Sequence, residues 1–333
     1  MIDFSKTRVL VTGGAGFIGS ALVWELNKRG CDRIVIADFL ESGEKWRNLA
    51  PLAFEDYLEA DDLLARLGSK SLGRFDVVLH MGACSSTTER NAAYLARNNY
   101  QFTRDLAACA LSSNARFVYA SSAATYGDGT AEMRDDSSLP YLHTLRPLNI
   151  YGYSKQMFDL YAAQRGILDK IVGVKFFNIF GPNEDHKGDM RSLVSKAYAQ
   201  IAETGEIRLF KSYRSEYADG EQKRDFLYVK DAVAMTLHLA ASEDTNGLFN
   251  VGSGEPNTWL DLAKAIFSAL GKPANIRFVD MPEELRKKYQ YFTQADITKV
   301  RQSGYSKPVT PLGDAVADYV RNYLVREKRL GDN

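Results

Sequence analysis

Short apolar, β-branched runs recur through the first half of the chain, at Arg8 to Thr12, Arg33 to Ala37, Asp76 to His80, Arg116 to Ala120 and Ile171 to Phe177, with a weaker one near Tyr57. Helix-length segments separate them. That rhythm predicts a parallel sheet with helices on both faces. Between the first two runs, Ala21, Leu22 and Leu26 fall on one helical stripe that Gly30 ends, so the first βαβ unit is complete by Asp38. After Phe177 the pattern loosens, with Gly181-Pro182, a polar, turn-rich stretch from Lys211 to Lys223 and a late strand at Leu248 to Val251. Trp259, Leu262, Ala263, Ile266, Phe267 and Leu270 then recur at helical spacing until Gly271 and Pro273 stop them, and this stripe reads as core. The expected architecture is α/β, a doubly wound parallel sheet from residues 1–177 and 226–252, with a smaller C-terminal α/β lobe from residues 178–225 and 253–330.

Thr12-Gly13-Gly14-Ala15-Gly16-Phe17-Ile18-Gly19 falls between a predicted strand and a predicted helix. Gly13, Gly16 and Gly19 there suit a tight turn, close approach of backbone to a pyrophosphate and close packing of helix on sheet. In that context the series predicts a Rossmann-type dinucleotide site. Asp38 ends the second strand, where a carboxylate can accept hydrogen bonds from the adenosine ribose, which favours NAD. Lys45 and Arg47 follow closely and suit the 2'-phosphate of NADP, or a solvated loop, so the choice stays open. His80-Met81-Gly82-Ala83-Cys84-Ser85 follows the next strand, and Gly82 and Ala83 leave room for the cofactor backbone. Asn98 and Asn99 fall in the following helix, where a side-chain amide can tie strand ends together.

Tyr151 and Lys155 stand four apart in a helical stretch and so share a face, which lets the lysine ammonium favour an ionised phenol. A phenol with an ordinary pKa of about 10 then serves as a proton acceptor near neutrality. Tyr119-Ala120-Ser121-Ser122-Ala123-Ala124-Thr125-Tyr126 places hydroxyls just past a strand's carboxyl end, and Ser122 can donate to a substrate oxygen there. Small polar residues also cap strands without any chemistry, so Ser122 gains its reading from Tyr151.

At 333 residues the chain is long enough for one large domain and a smaller lobe. Its 42 basic and 42 acidic residues cancel, which argues against nucleic acid or an anionic membrane as the main partner. Cys31, Cys84 and Cys109 are odd in number and lack metal-ligand spacing, so they read as reduced thiols, with neither a disulfide framework nor a metal site. With no apolar targeting segment and no spanning run, the chain reads as a cytoplasmic protein.

These motifs resemble the extended short-chain dehydrogenase/reductase family, the nucleotide-sugar epimerases and dehydratases, nearly end to end. The similarity includes Lys223-Arg224-Asp225-Phe226-Leu227-Tyr228-Val229-Lys230-Asp231 and Asn250-Val251-Gly252-Ser253-Gly254. Four further blocks, 82–89, 120–127, 181–188 and 289–296, resemble the branch that inverts C6 of an ADP-linked heptose. The resemblance implies a hydride passed between a sugar carbon and bound NADP or NAD, with Lys155 also holding the nicotinamide ribose. It carries Phe17, Ile18, Phe39, Met81, Cys84, Ser85, Asn98, Ile179 and Lys187 into cofactor contact. It carries Asn178, Asp189, Lys196, Phe210, Lys211, Ser212, Tyr213, Arg224 and Tyr289 toward the ADP-heptose. Inversion presents the C6 oxygen in two positions, so two acid/base groups are wanted, and the resemblance points to Tyr151 for one and Lys187 for the other. It also implies a homo-oligomer. Phe39 after Asp38, where many members have a polar residue, loosens the NADP assignment, and residues 211–222 are longer than in familiar members. A 4,6-dehydratase is set aside because Ala123 and Ala124 stand where such enzymes carry Asp-Glu. A UDP-hexose 4-epimerase stays as the rival, with Lys187 the discriminator, and a non-catalytic dinucleotide-binding scaffold is the remote third reading.

Overall fold

In the computed structural model, which describes residues 1–129, 132–286 and 289–332, the expected runs form β1 (Val9–Thr12), β2 (Ile34–Asp38), β3 (Asp56–Glu59), β4 (Val77–His80), β5 (Arg116–Ser122) and β6 (Val172–Phe176). They are followed by β7 (Asn178–Phe180), β8 (Ile207–Phe210), β9 (Lys223–Tyr228), β10 (Gly247–Val251), β11 (Pro256–Thr258) and β12 (Ile276–Val279). Between and after them run helices α1 (Phe17–Lys28), α2 (Phe102–Ser112), α3 (Ile150–Gln164), α4 (Leu193–Thr204), α5 (Val229–Ala241) and α6 (Trp259–Ala269). Among the described residues, the large sheet has the order β10-β6-β5-β4-β1-β2-β3, with every pairing parallel. The order reverses between β1 and β4, the position at which open α/β sheets bind ligands beyond their carboxyl ends.

Successive strand residues point to opposite faces, and the two cores divide accordingly. Val9, Val11, Ile34, Ile36, Val77 and Leu79 join one core with Ala21, Leu22 and Leu26 of α1 and Val233 and Met235 of α5. Leu10, Val35, Ala37 and Val78 join the other with Leu106 of α2 and Phe158 and Ala162 of α3. Each fully buried aliphatic side chain contributes about 1.5 to 3 kcal/mol, so both faces must be covered for the strands to persist. The doubly wound reading of the sequence is therefore correct. Strand β5 runs two residues beyond Ala120 because Ser121 and Ser122 pair in register with Lys175 and Phe176 of β6.

After β6 the chain leaves this sheet. Phe177 donates its N–H to the Val251 carbonyl at 3.1 Å, and β7 then pairs with β9, which in turn pairs with β11. Strand β8 pairs with β12 in a separate two-stranded sheet. Asp225 in β9 holds these parts to the large sheet's edge. Its buried carboxylate accepts from the backbone of Ser253 at 2.6 Å, Gly254 at 2.9 Å and Ala295 at 2.9 Å. No helix among the described residues is long and apolar enough to cross a membrane.

Candidate active site

The carboxyl ends of β1, β4 and β5 open on a cavity of about 720 Å³, lined on one side by Gly13, Gly16, Phe17, Ile18, Gly19, Asp38, Lys45, Met81, Gly82, Ala83 and Ser85. Gly13 has φ +68°, and a Cβ there would lie 2.6 Å from the Gly82 backbone, so the two loops touch main chain to main chain. Helix α1 starts from Gly16 with no side-chain cap, leaving its first-turn N–H groups for an anion. The Asp38 carboxylate is already engaged: it accepts from Ala15 N–H at 2.9 Å, Phe39 N–H at 2.7 Å and Lys45 Nζ at 2.5 Å. Phe39 itself is 37% exposed and stands outside the lining, while Arg47 pairs with Glu44.

The loop after β4 is held from behind. Asn99, buried, accepts from Cys84 N–H at 2.9 Å and donates to the Cys84 carbonyl at 3.0 Å and to Ser154 Oγ at 3.0 Å. It thereby ties the loop after β4 to α3, where the expectation was of an amide tying strand ends together. Cys84, which this clamp holds, and Asn98, which donates to Asn99 Oδ1 at 3.1 Å, both stand outside the lining.

Asn149 caps α3 by accepting from Gly152 N–H at 2.8 Å, which sets Tyr151 in the first turn. A Cβ on Gly152 would lie 2.6 Å from the Ala124 carbonyl oxygen, so only glycine lets the helix dock against the turn that follows Ser122. Ser122, Tyr151 and Lys155 all line the cavity. Burial pushes the Tyr151 phenol above its ordinary value; a hydrogen bond with Ser122 opposes this and the nearby Cys84 adds to it. Desolvation sets the net direction for the phenol, and Lys155 is not among the groups that move it in this structure. The Lys155 ammonium is itself pushed down to about 8, chiefly by desolvation, against the pull of Asp159 and Cys84.

Lys187 stands in a short segment, Asp185–Met190, kinked at Gly188, which lines the same cavity, and its ammonium lies 5.1 Å over the Phe17 ring. Burial lowers its pKa, Glu184 opposes that, and Lys196 adds to it. Two buried residues fix the segment. Glu184 accepts from Ser192 N–H at 2.6 Å and from Tyr319 Oη at 3.1 Å. Asn48 donates to the Ala15 carbonyl at 3.0 Å and the Asn183 carbonyl at 3.2 Å, joining the glycine loop to the segment that carries Lys187.

Farther out, Asn178, Ile179, Lys196, Phe210 and Tyr289 line the cavity. Asn178 spends both amide hydrogens on the Asp225 carbonyl at 3.0 Å and Thr293 Oγ1 at 3.2 Å. Arg224, Asp189, Lys211, Ser212 and Tyr213 are not brought into the lining. Arg224 is buried behind Tyr289, 5.1 Å from its ring, and donates to the Gln290 carbonyl. Lys211 pairs with Asp280 at 3.2 Å, and Tyr213 donates to the same carboxylate at 3.0 Å. Ser212 donates its N–H to Asp219 at 2.7 Å, and the Asp189 carbonyl accepts from Lys196 at 3.3 Å.

The model of the NAD dependent epimerase/dehydratase family matches residues 9–252. The chain belongs to that family. It is 50% identical over 316 residues to the ADP-L-glycero-D-manno-heptose-6-epimerase of Nitratidesulfovibrio vulgaris, covering 95% of this chain and 97% of that one. Its fold is similar to the crystal structure of the Helicobacter pylori ADP-L-glycero-D-manno-heptose-6-epimerase, with a TM-score of 0.81 at 26% identity over 96% of this chain and 97% of the other. It matches a UDP-N-acetylglucosamine 4-epimerase from Methanobrevibacter ruminantium, in complex with UDP-N-acetylmuramic acid, with the same TM-score at 25% identity over 97% and 99%.

A nicotinamide dinucleotide is the cofactor of this family, and the residues present fit one: an uncapped helix start, a glycine turn in backbone contact with Gly82, and Asp38 at the end of β2. Sequence reading missed several lining residues, among them His186, Arg208 and Trp259. His186 precedes Lys187 and shares its block, yet nothing in the spacing distinguishes it from a loop histidine. Trp259 read as core because it opens an apolar stripe; it is the stripe's first residue and its ring faces the cavity from the start of α6.

Proposed function

We propose that the protein interconverts ADP-D-glycero- and ADP-L-glycero-D-manno-heptose by inverting C6, in the supply of lipopolysaccharide inner-core precursor. The observation that carries this reading is the placement of Tyr151 and Lys187 on separate elements of one cavity, both desolvated. A bound nicotinamide dinucleotide would supply reversible hydride acceptance for C6. Tyr151 takes or gives the C6 hydroxyl proton of one epimer, with Ser122 hydrogen-bonded to the same oxygen. Lys187 does so for the other epimer, after the planar ketone has turned its opposite face. Burial suits Lys187 to this by letting it shed a proton more readily. The Lys155 ammonium balances charge as the phenol ionises.

The purified protein incubated with ADP-D-glycero-D-manno-heptose should yield the L-glycero epimer, read by NMR of the sugar. UDP-galactose run beside it should be left unchanged; conversion of UDP-galactose with the heptose untouched would make the protein a 4-epimerase.

NADP is the proposed dinucleotide, because Lys45 lines the cavity and its 2.5 Å pairing with Asp38 offsets the charge that would repel a 2'-phosphate. A charge-assisted hydrogen bond contributes about 1.5 to 3 kcal/mol. Lys45→Met should therefore weaken NADP binding by about tenfold or more while leaving NAD within a factor of about three. Mass spectrometry of the dinucleotide released from wild type, and calorimetric titration of both dinucleotides into the variant, measure this. Equal losses for the two would assign Lys45 to the loop alone.

A further inference from the structure

Beneath the reacting side chains lies an ion pair that none of the roles above uses. The Lys175 and Asp159 side chains are each 0% exposed, and Lys175 Nζ donates to Asp159 Oδ2 at 2.6 Å. A buried pair persists when its remaining hydrogen-bonding capacity is met, and here it is. Asp159 also accepts from Tyr119 Oη at 2.8 Å and Ser121 Oγ at 2.8 Å, while Lys175 donates to Thr125 Oγ1 at 2.8 Å and lies 5.0 Å over the Tyr126 ring.

The pair touches both halves of the site. Asp159 follows Lys155 by four residues on α3 and Tyr151 by eight, so all three share one helix face. Lys175 is in register with Ser121, the neighbour of Ser122. Thr125, which receives the Lys175 hydrogen bond, donates its own to the Ser122 carbonyl at 2.8 Å. We infer that the Asp159–Lys175 pair is a positioning element of the redox site: it anchors the turn that carries Ser122, and the balance between its two charges sets the field at Lys155 beside Tyr151. This rests on the proposed roles of Ser122, Tyr151 and Lys155.

Among the described residues, Asp159 from its own helix and Cys84 from the loop after β4 act on the Lys155 charge, and His80 at the end of β4 feels it; Tyr119 and Lys175, on the strands, face Asp159. His80 is held neutral by burial, with its pKa pushed down to about 3, and its ring nitrogens lie 2.6 Å from Thr12 Oγ1 and 2.8 Å from Thr103 Oγ1. Desolvation favours neutral Lys155, and the Asp159 carboxylate is the strongest pull against it. Lys175 in turn offsets Asp159. Removing either member therefore moves Lys155 in opposite directions. Asp159→Asn deletes the anion and leaves a cation, so Lys155 should lose its proton at lower pH. Lys175→Met leaves the anion unbalanced, so Lys155 should hold its proton to higher pH. A support without electrostatic reach would lower stability in both variants and shift neither.

The test uses the full chain with its dinucleotide bound. Trace acetylation with acetic anhydride across about pH 6 to 10, with the Lys155 peptide followed by mass spectrometry, gives the proton-loss midpoint of that one amine. The midpoint should fall by about one pH unit in Asp159→Asn and rise by about one in Lys175→Met. The double variant Asp159→Asn/Lys175→Met and the conservative Lys175→Arg should both lie near wild type. If Lys175→Met does not fold, Asp159→Asn against the double variant still decides: the midpoint falls in the first and is restored in the second. Shifts of the same sign, or none, overturn the inference. The alkaline limb of the heptose-epimerisation rate should move with these midpoints. Labelling needs no substrate, so a wild type that leaves the heptose unchanged would sink the proposed function while the labelling shifts are still read.

Discussion

Tyr151→Phe is expected to slow interconversion of the two ADP-heptose epimers by about 10²- to 10⁴-fold, the range that a positioned acid/base supplies, while the dinucleotide stays bound. The aromatic ring fills the same space in both, so the helix start capped by Asn149 and the Gly152 contact with Ala124 are untouched. What is lost is the proton acceptor. Because burial raises the Tyr151 pKa, the phenolate is the minor form at neutral pH. In the direction that uses phenolate as base, the wild-type rate should climb with pH, about tenfold per unit while pH lies below the phenol pKa, until Lys155, pushed down to about 8, begins to lose its charge. In Tyr151→Phe that rising limb should vanish. NMR of the C6 stereochemistry over a pH series reads both effects, and a variant that kept wild-type rates within threefold would remove Tyr151 from the reaction.

The parts of this protein that were legible in its sequence are those in which local pattern and tertiary need coincide. Val9, Val11 and Leu10 divide between two cores because period two is a property of the strand itself, and Gly13 is needed wherever a turn of positive φ meets another backbone. Tyr151 and Lys155 share a cavity because four residues make about one helical turn. Lys187 was reached only through the resemblance of its block; a lysine in a glycine-bearing loop carries no local sign that Phe17 and Glu184 will close over it. Arg224 is the reverse case. Its guanidinium suits a diphosphate in the abstract, yet in the fold it donates to the Gln290 and Lys223 carbonyls behind Tyr289. Long-range partners of this kind depend on which loops arrive next to one another, and spacing along the chain does not encode that. Asp159 lay between the two cases: it is four residues past Lys155 and so on the same face, but its partner on β6 is visible only once the strands are paired. The direction in which the Tyr151 phenol moves was out of reach of the sequence for a related reason. Helical spacing gives the neighbouring charge but not the depth of burial, and burial decides the sign.

Lys187→Met should also cut full interconversion by about 10²- to 10⁴-fold, and its comparison with Lys187→Arg separates two roles the residue could have. Methionine keeps the length and the packing against Phe17 while removing both charge and proton exchange. Arginine keeps the charge, but with a pKa above about 12 it cannot accept a proton. If Lys187 is the second acid/base, both variants fail alike. If it only attracts the ADP phosphates or steadies the ketone, arginine recovers most of the rate and methionine does not. The wild-type rate from the epimer served by Lys187 should rise with pH as the amine deprotonates, and it should do so below the ordinary lysine range, because burial lowers this amine's pKa. Neither variant should disturb the segment's anchors, since Glu184 holds Ser192 and Tyr319, and Asn48 holds the Asn183 carbonyl, without using the Lys187 side chain. Unchanged thermal melting and retained dinucleotide would therefore accompany the loss of rate. Near-full activity in Lys187→Met would overturn the two-base assignment: inversion at C6 would still be seen, a single fixed group cannot serve the C6 oxygen on both faces of the sugar, and a group other than Lys187 would have to act on the second face.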